Sequence, residues 1–260
     1  MKFKKGNQTN TLRLLINWLF VPLSVLIALI LLYQLVLRPI PPASMEENII
    51  GSTAIGFSSI YRAIGEHLQL VLISTTLSIF TGIAAGVMIT REGFKDFAGF
   101  ILALANFGQS VPSIAVLALF MGILGLGART AIFALWLYAL LPIIRNTATG
   151  IEGVAPNIIE AAAGMGMTRR QILFEVELPL AFPVIFAGIR TAVILNIGTA
   201  ALGSFIGAGG LGDFIITGIP MRRDSMVMVG AVLTAILAIL ADWILEKIQN
   251  TLVVTHQRPG

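Results

Sequence analysis

Long uncharged stretches alternate with short polar connections along this chain. A helix that crosses roughly 30 Å of hydrocarbon needs about 20 mostly apolar residues, so each long stretch is a candidate membrane span. The first one follows three lysines but is much longer than the apolar region of a signal peptide, which is about 7–15 residues, and we predict a retained helix. The candidate spans are 14–37, 68–90, 97–128, 130–144, 183–206 and 225–245. This pattern predicts an all-α membrane protein with about six transmembrane helices.

The third stretch contains an interruption, Gly108-Gln109-Ser110-Val111-Pro112-Ser113. Proline removes a backbone donor, so this sequence predicts a broken or kinked third helix. Freed backbone and polar groups at membrane depth are tolerated where they are buried or face a water-filled cavity. Asn106, Gln109 and Ser110 are therefore candidates either for lining a pathway or for repairing the kink. The fourth span is short, with Arg145 just beyond Pro142.

Composition supports the membrane assignment and narrows the chemistry. Of the 260 residues, 57% are hydrophobic and 12% charged, and there is no cysteine and only two histidines. Disulfides, thiolate metal sites and a cysteine nucleophile are thereby excluded, and a His-rich metal centre is not expected. The net charge of +4 is dispersed over the chain without a basic stripe, so we expect no nucleic-acid partner.

The basic residues instead predict an orientation in the bilayer. If six spans put both termini on one side, that side holds eleven of the 17 Lys and Arg residues and the other side five, with Arg190 inside a span. Cytoplasmic loops carry the excess of basic residues. We therefore expect a multi-pass protein of the bacterial inner membrane with both termini in the cytoplasm. The long segment 145–182 is then also cytoplasmic.

This cytoplasmic segment is too long for a simple turn. Pro156 can open a short helix that runs to Ala163, and Gly164 and Gly166 can end it with a tight change of direction. A second amphipathic piece can begin at Thr168, a plausible N-cap, and extend to Val176. Two prolines, at 179 and 183, are expected to break that piece before the fifth span.

The spacing of residues in this segment resembles the EAA signature of the permeases of binding-protein-dependent ABC importers. The matching positions are Glu160, Ala161, Ala162, Gly166, Val176, Leu178 and Pro179, with Val in place of the usual Ile. The resemblance implies that this loop is a coupling helix that docks on a separate ATP-hydrolysing subunit. The alternative is that this Ala-rich loop only connects two spans and docks on no partner.

The resemblance implies a type I ABC importer permease fold (MetI-like) over residues 61–248, with the coupling loop at 145–182. Residues 1–60 then form an N-terminal helix and an external segment, and 249–260 a short cytoplasmic tail. It also implies three kinds of partner: cytoplasmic ABC ATPases that use ATP, a second permease subunit and a separate solute-binding protein. The chain itself then binds no cofactor and is not an enzyme.

Several phrases resemble the osmoprotectant branch of this family, which imports glycine betaine, carnitine, choline and related quaternary ammonium compounds. They are 109–113, 138–147, 164–168 and 206–212. A permease for amino acids or another small polar solute is an open alternative. The alternative from another class is an ion-coupled secondary transporter, which tends to bury ionisable residues near the bilayer midplane.

Four further side chains are candidates for roles within the membrane. Trp136 and Tyr138 could meet a substrate cation in the pathway through cation–π attraction, or could be packing residues. Arg190 and Asp242 lie at similar depths in the fifth and sixth spans, so we hypothesise a structural ion pair, with snorkelling as the alternative. The glycine run 207–212 lacks a following Lys-Ser/Thr, which argues against nucleotide binding.

Overall fold

The computed structural model describes residues 21–31 and 57–256, and every regular element in these two ranges is helical. Of the N-terminal part predicted at 1–60, residues 1–20 and 32–56 lie outside the described residues; these include both ends of the first predicted span, 14–20 and 32–37. The elements are α1 (Val21–Leu31), α2 (Phe57–Ile89), a 3₁₀ turn (Glu92–Phe94), α3 (Lys95–Ser110), α4 (Ser113–Leu124), α5 (Ala128–Glu152), α6 (Pro156–Gly164), a single turn (Arg169–Gln171), a π-helical segment (Ile172–Glu177), α7 (Leu178–Ala200), a second 3₁₀ turn (Ala201–Ile206), α8 (Gly212–Gly218) and α9 (Asp224–His256).

Four helical stretches in the described ranges are long and apolar enough to cross a membrane. They comprise α2, α5, the continuous run from Arg169 to Ile206 and α9. The pair α3 and α4 adds a fifth if it counts as one broken span, since its two halves are bent by 103°. The predicted interruption of the third span is therefore confirmed. The remaining predicted span, the first one at 14–37, falls on α1, of which eleven residues are described.

One expectation about proline was wrong. Pro179 and Pro183 do not break the chain before the fifth span, because the helix runs through both. The fourth helix also extends beyond the predicted span 130–144, through Arg145 to Glu152, with Pro142 inside it. Pro179 is the second residue after the π-helical segment, so the carbonyl four residues before it lies in that segment. There the i→i+5 pattern differs from the α-helical pattern in which a proline ring clashes with that carbonyl.

The long helices pack closely because small residues line their contacts. Gly82 and Gly86 form a G-x-x-x-G pattern on α2, the spacing that lets membrane helices approach each other. A Cβ at Gly86 would lie 2.5 Å from Cβ of Thr147 on α5, and one at Gly188 on α7 would lie 2.6 Å from Cβ of Asn146. The central helix α5 is thus held between α2 and α7 at distances that larger residues would not permit.

Polar side chains inside this core bond to one another. Asn196 on α7 is fully buried and donates from Nδ2 to Ser74 Oγ at 3.2 Å and Thr75 Oγ1 at 3.0 Å on α2. Ser78 donates to the carbonyl of Trp136 on α5 at 3.0 Å. Such bonds hold membrane helices together where water is absent.

Candidate functional site

The segment that carries the EAA-like spacing begins with the nine-residue helix α6. Pro156 stands in its first turn, where the missing N–H costs nothing. At its far end the amides of Met165 and Gly166 donate to the carbonyls of Ala161 and Ala163. Gly166 has φ of +87°, a backbone conformation that glycine adopts readily and other residues adopt at a cost. The predicted helix and its glycine stop are both present.

The chain resumes helical structure at once after this stop. Thr168 and Gln171 form a capping box, in which the threonine hydroxyl accepts from the Gln171 amide and the Gln171 side chain accepts from the Thr168 amide. The single turn leads directly into the π-helical segment and then into α7. Hence α6 connects to a membrane-spanning helix through a short, capped junction.

The structure places the EAA-like residues in two groups. Glu160, Ala161 and Gly166 are exposed on or just after α6, while Ala162 is buried at 2% exposure. The second group, Val176, Leu178 and Pro179, lies where the π-helical segment passes into α7. The α6 helix packs against the π-helical segment, so both groups belong to one structural unit.

Two ion pairs that sequence reasoning missed join this unit to the turn that follows α2. Arg91 Nη2 lies 2.6 Å from Glu177 Oε2, and Arg169 Nη1 lies 3.7 Å from Glu92 Oε2. The partners of the first pair are 86 residues apart in sequence. No local sequence pattern predicts a contact between residues so far apart. The signal present in the sequence is an acidic residue directly before Leu178-Pro179, at the start of a membrane span.

The polar residues at the break of the third helix bond to α5. Because residue 142 is proline, the carbonyl of Tyr138 lacks its helical amide donor. Gln109 Nε2 donates to that carbonyl at 2.9 Å. In return, the Tyr138 hydroxyl donates to the carbonyl of Val111 at the break. Of the two roles left open for Gln109, the geometry favours repair of a missing backbone hydrogen bond, and the repaired bond is in the neighbouring helix α5.

The other proposed pathway residues are placed differently. Arg145 Nη2 donates to Asn106 Oδ1 at 2.9 Å, and Ser110 is exposed at the end of α3. Trp136 donates from Nε1 to Thr81 Oγ1 at 2.9 Å. Its ring and that of Phe133 help to line an open, almost wholly apolar cavity of about 460 Å³ among α2, α3, α4 and α5.

Arg190 and Asp242 face each other across α7 and α9. The guanidinium Nε donates to Asp242 Oδ1, and Nη2 lies 3.2 Å from Glu246 Oε2. Glu246 stands one turn after Asp242, so both carboxylates are on one face of α9. The hypothesised ion pair is therefore part of a triad, and the sequence analysis did not predict its third member, Glu246. Among residues 21–31 and 57–256, no cluster of three His, Cys, Asp or Glu side chains could hold a metal ion.

Comparison with known sequences places this architecture in a family. Residues 78–253 match the model described as binding-protein-dependent transport system inner membrane component. The glycine betaine/carnitine/choline transport system permease protein OpuCB of Bacillus subtilis (strain 168) is 47% identical over 181 residues, which cover 70% of this chain and 82% of that protein. The osmoprotectant import permease protein OsmY of Salmonella typhimurium (strain LT2) is 44% identical over 179 residues, covering 69% and 76%.

Solved structures agree with the fold. The methionine ABC transporter MetNI, in an inward-facing conformation, has a chain that is 26% identical, with a TM-score of 0.66 and coverage of 75% of this chain and 96% of that one. An amino acid ABC transporter determined with histidines matches at 18% identity and a TM-score of 0.60, which concerns the fold alone. The chain is therefore an all-α, multi-pass inner membrane protein and belongs to the family of binding-protein-dependent ABC transporter permeases, whose members leave ATP hydrolysis to a separate subunit.

Proposed function

We propose that this chain forms half of the membrane pathway of an ATP-driven importer for glycine betaine or a related quaternary ammonium compound. In the complex, two permease subunits line the pathway and two ATPases bind the cytoplasmic side. A loaded solute-binding protein docks outside. Both termini of the chain are cytoplasmic in this arrangement. The observation that carries the proposal is the exposed α6 helix with its capped junction to a spanning helix.

The α6 helix suits docking on another protein for a physical reason. The exposed residues of its second half include Ala161, Ala163 and Gly164, whose small size allows a partner's backbone to approach closely. Gly166 and the Thr168 capping box make the junction short. A displacement of α6 is therefore transmitted to α7, since no flexible linker separates them. This supports a role in passing movement of the ATPases to the membrane helices.

The charges described within the spans also favour an ATP-driven importer over an ion-coupled transporter. Both carboxylates, Asp242 and Glu246, are paired with the guanidinium of Arg190 in a single cluster between α7 and α9. A coupling site for an ion gradient needs an ionisable group that can exchange its proton or cation during transport. A carboxylate held by an arginine is poorly suited to that exchange.

The substrate class rests on the relatives, several of which are named for glycine betaine, carnitine or choline transport. We would measure uptake of labelled glycine betaine into vesicles that contain this chain, its neighbouring ATPase and its binding protein. ATP-dependent uptake that excess choline or carnitine reduces, and excess methionine does not, is the expected result. Uptake reduced by methionine alone would move the substrate to the amino acids, and uptake independent of ATP would overturn the importer class.

A further inference from the structure

The turn after α2 contacts the junction between α6 and α7 through the two ion pairs described above, one to the π-helical segment and one to the single turn before it, and these pairs differ in burial. The side chain of Glu177 is 8% exposed and that of Arg91 is 34% exposed. By contrast, the side chains of Arg169 and Glu92 are 91% and 78% exposed. Exposed pairs contribute little, whereas a buried carboxylate needs its partner to remain ionised. The Arg91–Glu177 pair is therefore the one that constrains the two segments.

The pair stands at the ends of two spanning helices. Arg91 is the second residue after α2, and Glu177 is the last residue before α7. At this point the backbone changes from the π-helical to the α-helical hydrogen-bond pattern, and Pro179 contributes no amide donor. The charged side-chain contact adds a constraint to the chain at this change of pattern.

The pair also lies on the route from α6 to the remaining helices. The α6 helix packs against the π-helical segment, and that segment is continuous with α7. The backbone therefore passes a displacement of α6 to α7. It reaches the cytoplasmic end of α2 through Arg91 and Glu177, and α2 in turn packs along α5 and α7.

We propose that Arg91 and Glu177 are positioning residues for coupling: their ion pair makes the cytoplasmic end of α2 move together with α6 and α7 when the ATPases change conformation. Without the pair, α6 moves while α2 lags, and less solute is imported for each ATP hydrolysed. This inference rests on the proposed docking role of α6.

The first experiment measures labelled glycine betaine taken up per ATP hydrolysed in vesicles that hold the full complex. Glu177→Gln and Arg91→Gln should each lower this ratio by about fivefold or more, the scale of a typical coupling between sites. The charge-swapped variant R91E/E177R should recover much of it. The matched control E92Q/R169Q removes the exposed pair and should keep the wild-type ratio.

Two results would overturn the inference. One is a wild-type ratio in both single variants. The other is a smaller amount of assembled complex with an unchanged ratio, because a merely structural pair would act in that way. Loss of ATP-dependent uptake in the wild-type complex would count against the proposed function instead, so the two failures are distinguishable.

A second measurement needs no transported solute. Because the chain has no cysteine, Gly93→Cys and Met165→Cys can carry spin labels on the turn and beside α6. A Cβ at Gly93 meets nothing within 4 Å, and Met165 is 77% exposed. In the complex with Arg91 and Glu177 intact, the distance between the two labels should keep one narrow distribution when ATP binds. With Glu177→Gln added, the distribution should broaden or shift when ATP binds. An identical response in the two backgrounds would contradict the inference.

Discussion

The contact between Gln109 and the carbonyl of Tyr138 leads to a prediction about two substitutions together. In Gln109→Leu, the carbonyl that Pro142 leaves without a helical donor loses its remaining described partner. Hydrogen bonds between membrane helices contribute about 0.6–1.7 kcal/mol, and an unpaired buried acceptor costs about 1–3 kcal/mol. We expect the free energy of unfolding to fall by about 1–2 kcal/mol, a factor of roughly 5–30 in the folded-to-unfolded ratio.

A second substitution, Pro142→Ala, tests whether the cost of Gln109→Leu arises from the Tyr138 carbonyl that lacks a helical donor. Alanine restores an N–H that can donate to the Tyr138 carbonyl within α5. Gln109→Leu should therefore cost much less in the Pro142→Ala background than in the wild type, with a coupling free energy of about 1 kcal/mol.

The assay is unfolding of the purified subunit in mixed micelles by titration with sodium dodecyl sulfate, followed by tryptophan fluorescence. Gln249→Leu is the matched control. It too removes a bond of 2.9 Å to a carbonyl, that of Pro183, but this carbonyl lies inside a continuous helix and has the amide of residue 187 as its own donor. Gln249→Leu should therefore lower the free energy of unfolding by less than Gln109→Leu does. Strictly additive losses for Gln109→Leu and Pro142→Ala would refute the argument.

Three further substitutions have expected outcomes. Gly188→Ala places a Cβ 2.6 Å from Asn146 and should cost about 1–3 kcal/mol in the same assay, whereas Gly198→Ala meets nothing within 4 Å and should cost little; equal effects would contradict the packing. Arg190→Leu leaves two carboxylates without their cation, so it should lower the yield of assembled complex more than Asp242→Leu, which leaves Arg190 paired with Glu246; the reverse order would refute the triad. Thr168→Ala should destabilise the junction after α6 by about 1 kcal/mol, seen as faster amide exchange at 169–172.

The sequence predicted the features that depend on local chemistry. The helical class, the break at Val111-Pro112 and the short helix with its stop at Gly166 all follow from hydropathy, proline and glycine. The helix break predicted at Pro179 and Pro183 is absent. The helix passes through Pro179 after a π-helical segment, and at Pro142 an amide side chain from another helix bonds to the carbonyl that lacks a helical donor. Neither feature is visible in a local sequence pattern.

Contacts between distant residues could be anticipated only where a charge lay in an apolar stretch. Arg190 and Asp242 stand out for this reason, and the structure brings them together. Glu246 lies near the predicted end of its span and looked like an ordinary flanking charge. Arg91 lies in a charged turn and Glu177 at the end of an amphipathic piece, and charges are ordinary in both settings, so the local sequence does not distinguish these two residues from surface residues.

The central claim is that movement of α6 couples ATP hydrolysis to transport, and Gly166→Asp tests it most directly. The substitution places a side chain where φ is +87°, which alters the end of α6 and the junction that follows. The control Gly93→Asp adds the same charge to the exposed turn after α2, where φ is not positive. We predict that ATP-dependent uptake of labelled glycine betaine by the reconstituted complex is abolished by Gly166→Asp and retained in the control. Wild-type uptake with Gly166→Asp in a fully assembled complex would contradict the account.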